Sequence, residues 1–205
     1  MSIFCEQLVQ NGGCVMYDGN NPTALHSMEW LADALLSLME NQDYSKITVK
    51  DICNKADLSR QTFYNFFIGK DDIIRFCIHK CYSEMIARLE EKTPVTLADI
   101  TRQLMETLYS NQKLMRLIVR HGLDYLLELE LVTVIQIFSE QMSPTPAGEM
   151  DQYATAFLSG AITHMILHWF KAEKPAAQEQ LSELLYCILT GNYFQIRNEY
   201  QRKKK

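Results

Sequence analysis

Apolar residues recur every three to four positions along most of the chain, and alternation with period two is scarce. That periodicity predicts helices throughout. Leu25, Met28, Ala32, Leu35, Leu36 and Met39 mark one face of a first helix, which Asn21 or Thr23 can cap, with Pro22 suited to the opening turn. Residues 41–45 end it. Thr48-Val49-Lys50-Asp51 then has the form of a capping box with Asp in place of Glu, and Ile47 and Ile52 occupy the two positions of a hydrophobic staple. A short second helix follows, with Val49, Ile52, Cys53 and Ala56 inward and Lys50, Asn54 and Lys55 outward. Asp57-Leu58 makes a turn, and Ser59 caps a third helix whose staple is Leu58 and Phe63. Two capped helices of about two turns, joined by a tight turn, are the geometry of a helix-turn-helix.

A longer helix is expected from Gly69 or Lys70 to Glu91, stopped by Thr93-Pro94. Further helices are expected near 96–110, 112–121, 123–142, 149–173 and 177–197. The breaks are Ser110-Asn111, Gly122, Ser143-Pro144-Thr145-Pro146 and Lys174-Pro175. Residues 1–23 carry Gly12, Gly13, Gly19, Asn20, Asn21 and Pro22 with no clear period, and read as an irregular extension. The chain ends in a basic tail, residues 199–205.

Composition narrows the class. With 205 residues, 47% hydrophobic and 22% charged, there is room for one large or two small domains with a real core. Only five prolines and eight glycines fit an all-α fold. Cys5, Cys14, Cys53, Cys77, Cys81 and Cys187 form no C-x-x-C pair, and most lie among apolar residues, as expected of small buried hydrophobes in a reducing cytoplasm. The first residues lack Lys and Arg, so neither a secretory signal nor a mitochondrial presequence is supported. The longest apolar stretch, residues 156–170, is interrupted by Ser159, Thr163, His164 and His168 and is too polar for a membrane span.

The net charge of −5 argues at first against a nucleic-acid partner. Its distribution argues the other way. Residues 44–70 carry a net +3, whereas residues 95–196 carry −5, so the basic end is the helix-turn-helix. In Ser59-Arg60-Gln61-Thr62-Phe63-Tyr64-Asn65-Phe66-Phe67, the three phenylalanines can pack inward together while Arg60, Gln61, Tyr64 and Asn65 face out. Arg reads guanine bidentately, Gln and Asn read adenine, and hydroxyls and backbone N–H groups suit phosphates.

Residues 47–74, ITVKDICNKADLSRQTFYNFFIGKDDII, resemble the DNA-binding segment of the tetracycline-repressor (TetR) family of bacterial regulators. The likeness lies in the Thr-initiated second helix, A-x-x-S at the turn, T-F-Y-x-x-F on the third helix and the G-K-D start of the fourth. It implies an all-α fold: a three-helix helix-turn-helix domain over residues 24–69 and a helical effector-binding and dimerisation domain over 70–198. It implies double-stranded DNA as partner, with Thr48, Tyr64 and Lys70 on phosphates, Arg60, Gln61, Thr62 and Asn65 in the major groove, and Lys50 and Ser59 beside them. Two positions depart from the family. Asp57 stands where Gly is frequent, which Asp tolerates in a left-handed turn, and Phe66 stands where His or Tyr is common.

The helix near 149–173 is apolar on more than one face, and Leu181, Leu184, Leu185, Ile188, Leu189 and Phe194 give the last helix a matching stripe. A four-helix homodimer interface is expected, with Ser159, Gly160 and Ala161 permitting close approach. The resemblance also implies an effector pocket, with Tyr82, Met85, Met105, Tyr109, Tyr125 and His164 as candidate lining for an unknown small molecule. His164 and His168, and Cys77 and Cys81, sit four apart and would suit a metal or an oxidant, but neither pair has a third ligand at a recognisable spacing, and packing or interface roles fit better. No cofactor or metal site is expected. No GxGxxG, P-loop, G-x-S-x-G or H-E-x-x-H occurs, so an enzyme is disfavoured. The leading expectation is a homodimeric repressor on a palindromic operator, released by a small molecule. The alternative is an activator of the same fold that works with a protein coactivator and without a small-molecule ligand.

Overall fold

The computed structural model describes residues 22–92, 94–142 and 148–193. The described residues are helical and contain no strand. Helix α1 is Pro22–Met39, α2 Val49–Ala56, α3 Arg60–Tyr64, α4 Lys70–Glu90, α5 Leu97–Ser110, α6 Gln112–His121, α7 Asp124–Met142, α8 Glu149–Lys171 and α9 Gln178–Leu189, with a 3-10 turn at Tyr44–Lys46. The irregular extension and the basic tail expected from the sequence lie outside the described residues, as do Cys5, Cys14 and Phe194.

Local signals in the chain account for most of these boundaries. The Thr48 hydroxyl accepts from the Asp51 N–H at 3.2 Å while the Asp51 carboxylate accepts from the Thr48 N–H at 2.9 Å, a reciprocal cap. Ile47 and Ile52 are buried as the staple requires. Thr96 and Asp99 repeat the same box at the start of α5. Asp72 accepts from the N–H groups of Ile68 and Gly69, which begins α4. Gly122, at φ 66°, closes α6 in the left-handed region that favours glycine, and Leu123 N–H returns to the Ile118 carbonyl at 3.0 Å.

Two expected helices prove shorter. α9 stops at Leu189, because Gly191 takes φ 75° and Asn192 N–H folds back on the Cys187 carbonyl at 2.8 Å. α3 spans only Arg60–Tyr64, with Asn65 as its C-terminal cap.

Phe63, Phe67, Ile73 and Ile74 are buried with Met28, Leu31 and Leu35, so α1 to α4 share one continuous core with the body. In the body α8 packs on α7, and α9 packs on α5. No described helix is long and apolar enough to cross a membrane.

Candidate nucleic-acid interface

The short α3 meets the core through its apolar side. Phe63 and Phe67 meet at 5.8 Å between ring centroids, and Phe67 leans on Phe76 of α4 at 6.0 Å, while Phe66 is only half-buried. The opposite side is solvent-facing: Arg60, Gln61, Tyr64 and Asn65 are all exposed, Tyr64 at 60%. Tyr64 stands edge-on against Phe63, with centroids 5.2 Å apart, so its hydroxyl end projects from a fixed base.

The turn before α3 has the residue chemistry it needs. Asp57 adopts φ 54°, ψ 41°, a left-handed conformation that Asp tolerates better than most residues. Ser59 caps α3 by accepting from the Thr62 N–H at 3.0 Å, and the two hydroxyls share a hydrogen bond at 2.8 Å. Thr62 is therefore half-buried in the cap rather than displayed with its neighbours. Lys50 and Lys55 are exposed on α2, so Thr48, Lys50, Ser59, Arg60, Gln61, Tyr64 and Asn65 lie on exposed surface of the two helices.

Lys70 is placed differently from the phosphate contact expected of it. Its ammonium donates to the carbonyls of Tyr44 at 2.5 Å and Ile47 at 3.0 Å, and lies 4.3 Å from the centre of the Tyr44 ring. Burial lowers its pKa, against the pull of Asp71. The side chain fastens the turn ahead of α2 to the start of α4.

A set of contacts that sequence reasoning missed joins this head to the body. Asp71 accepts from the Tyr44 hydroxyl and from the Tyr125 hydroxyl of α7, each at 2.5 Å. Burial and the Asp71 carboxylate both push the Tyr44 phenol up, so it stays a donor. His121, at the end of α6, accepts from the Tyr44 N–H through Nδ1 at 3.3 Å and donates from Nε2 to the Met39 carbonyl at 2.9 Å. Arg120 donates to the Glu40 carbonyl and Lys113 pairs with the Glu40 carboxylate. The partners lie 27 to 82 residues apart in sequence, beyond any local pattern.

The body contains an apolar cavity of about 350 Å³, lined from α4, α5, α7, α8 and α9. Of the six residues expected to line an effector pocket, only Met85 does so. Met105 and Tyr82 are core side chains, and the Tyr82 hydroxyl is buried without a hydrogen-bond partner. Tyr109 is half exposed and stacks on Trp169, Tyr125 is the Asp71 partner, and His164 points to solvent, its Nδ1 on the Gly160 carbonyl at 2.8 Å. Aromatic and Met residues at helical spacing mark any buried face, and here the lining is mainly Leu, Ile and Val, with Met85 and Phe138 among them.

The remaining candidates are accounted for. Among the described residues no group of three or more His, Cys, Asp or Glu is placed to hold a metal ion. Burial pushes the Cys77 thiol up to about 12 and the Cys81 thiol up to about 11, so neither is a reactive thiolate.

The model of the family described as bacterial regulatory proteins, tetR family, matches residues 31–75, and that of a transcriptional regulator C-terminal region (TetR_C_8) matches residues 95–191. The chain belongs to the TetR family of transcriptional regulators. It is thus a DNA-binding regulator, not an enzyme, and its helix-turn-helix is the DNA-binding element. The chain is 30% identical over 67 residues to the dhaKLM operon transcriptional activator DhaS of Lactococcus lactis, and 33% identical over 66 residues to the uncharacterized regulator YxbF of Bacillus subtilis. Those alignments span about a third of this chain, and 36% and 17% of the two relatives. Among solved structures, Lin0861 from Listeria innocua has a TM-score of 0.70 at 18% identity, covering 83% of this chain and 93% of its own. DhaS itself has a TM-score of 0.51 at 19% identity, covering 84% and 97%. At such identities the likeness is one of fold.

Proposed function

We propose that this TetR-family regulator acts as a homodimeric repressor: it binds a palindromic operator in the cytoplasm and is released when a small molecule occupies the body. Residues 24–69 form the reading head and 70–198 the effector and dimerisation domain. Within the head, Tyr64, Lys50 and Thr48 hold phosphates, while Arg60, Gln61 and Asn65 meet base edges. Thr62 and Lys70 shape the interface from behind it.

The observation that carries the dimer is the outer face of α8 and α9. Met150, Tyr153 at 65%, Phe157 at 72%, Leu184, Tyr186 and Ile188 are exposed, large and apolar. Met150, Tyr153 and Phe157 stand at helical spacing on one side of α8, and an apolar stripe left facing solvent supports an association site. Ala161 is exposed among them, whereas Ser159 is buried and Gly160 faces Glu128 of α7, so of the three small residues expected to permit close approach only Ala161 is available to a second copy. Two copies joined there set two reading heads at a fixed separation, and half-sites one turn of DNA apart require about 34–36 Å. A ligand that favours another separation lowers DNA affinity by linkage.

An activator working with a protein coactivator is the second reading, favoured by the match to DhaS, which is named an activator. A reporter driven by promoters beside the bound sites separates the two: repression predicts that deleting the gene raises transcription, and activation predicts that it falls.

A further inference from the structure

We infer that the cavity in the body takes an uncharged, hydrocarbon-rich molecule on the order of a dozen non-hydrogen atoms, and that it prefers such a molecule to carboxylates and amines of the same length. The inference rests on the reading of this cavity as the effector site and names what enters it.

The lining decides the chemistry. Leu104, Leu131, Val134 and Ile162 are buried aliphatic walls, and among the described residues no ionisable side chain lines the space. Moving an ion into such a site without a partner costs several kcal/mol, so a charged head must stay at the solvent end, and a carboxylate or amine buries less of its chain than the alcohol of the same length. Among the described residues, two hydroxyls are the only polar side chains in the lining. Thr101 is buried, and its hydroxyl donates to the Ala98 carbonyl at 3.2 Å, which leaves it an acceptor for a single ligand O–H or N–H. Ser139 is exposed and stands at the mouth.

Size follows from volume. At about 30 Å³ for a water-sized group, a space of about 350 Å³ holds on the order of a dozen such groups. The position of the walls explains why occupancy would matter. Met85 lies on α4, the helix whose first turn carries Lys70 and Asp71, about 22 Å away at 1.5 Å per residue. Leu158 and Ile162 of α8, with Leu185 and Leu189 of α9, bring in the helices of the proposed dimer face. A molecule wedged here touches both the lever of the reading head and the dimer helices.

The test is direct binding of homologous series to the full-length protein, by calorimetry at neutral pH. The probes are the straight-chain alcohols from hexanol to dodecanol, the matching carboxylates and the matching alkylammonium ions. The expected result is affinity for the alcohols that rises roughly four-fold per added methylene and then levels as the cavity fills, with the ions at least ten-fold weaker at every length. Leu104→Trp and Ile162→Trp, each checked for retained helicity, should abolish alcohol binding. Ions binding as tightly as alcohols, no binding at any length, or binding that both filled variants retain would each overturn the inference. DNA release is measured separately on the same samples. Alcohols that bind as described but leave DNA affinity unchanged would support the ligand class while overturning the effector reading.

Discussion

Asp57 shows how a single residue supports the reading surface. It is the one non-glycine described residue with positive φ, and it sits in the turn that orients α3 against α2. Asp57→Gly should keep or slightly raise stability in urea unfolding, whereas Asp57→Val should lower it by about 1–2 kcal/mol, the left-handed penalty for an L-residue. On the surface itself, Arg60→Ala and Asn65→Ala should relax sequence preference at one position each, at about 1–3 kcal/mol. Lys50→Ala should instead weaken every site alike and flatten the salt dependence of binding. Most of these residues were legible because caps, staples and the Phe63–Phe67 spacing are local patterns. Lys70 and Thr62 were not. Both also hydrogen-bond within the protein, Thr62 to Ser59 and Lys70 through two of its three donors, and the Lys70 partners lie 23 and 26 residues away, at Ile47 and Tyr44.

At the level of elements, α4 is the helix on which the account turns, since its first turn holds the head and its later turns wall the cavity. It is tied to α7 by a buried ion pair, Arg75 Nε to Glu130 Oε1 at 2.8 Å, with the side chains 13% and 4% exposed. Burial raises the Glu130 pKa and Arg75 opposes the rise. Arg75→Met should leave a buried charge without its counter-ion and cost about 3–5 kcal/mol at neutral pH. A carboxyl whose folded pKa is raised favours the fold at low pH and loses that contribution as pH rises through the folded value. The Arg75→Met defect should therefore shrink toward pH 4 and grow toward pH 7, and adding Glu130→Gln should remove the slope. A pH series of denaturation curves checks this. Helix order was readable from periodicity and breakers, but the cavity was not. Which aliphatic side chains fail to fill a space depends on how five helices meet, and no spacing within one helix records that.

For the whole molecule, acidity and DNA binding are reconciled by geography, with Lys50, Lys55 and Arg60 exposed at one end of a chain of net charge −5. The proposed dimer should depend on the outer face of α8. Phe157→Glu, which removes no core contact because the ring is 72% exposed, should leave a folded monomer in sedimentation and weaken operator binding by at least ten-fold. The most direct measurement is a selection of genomic fragments bound by the purified protein, run in parallel with Tyr64→Ala. Enrichment of a palindrome with two half-sites about one DNA turn apart, lost in the variant, is the predicted result. Fragments with no shared palindrome, or equal enrichment by the variant, would contradict the account.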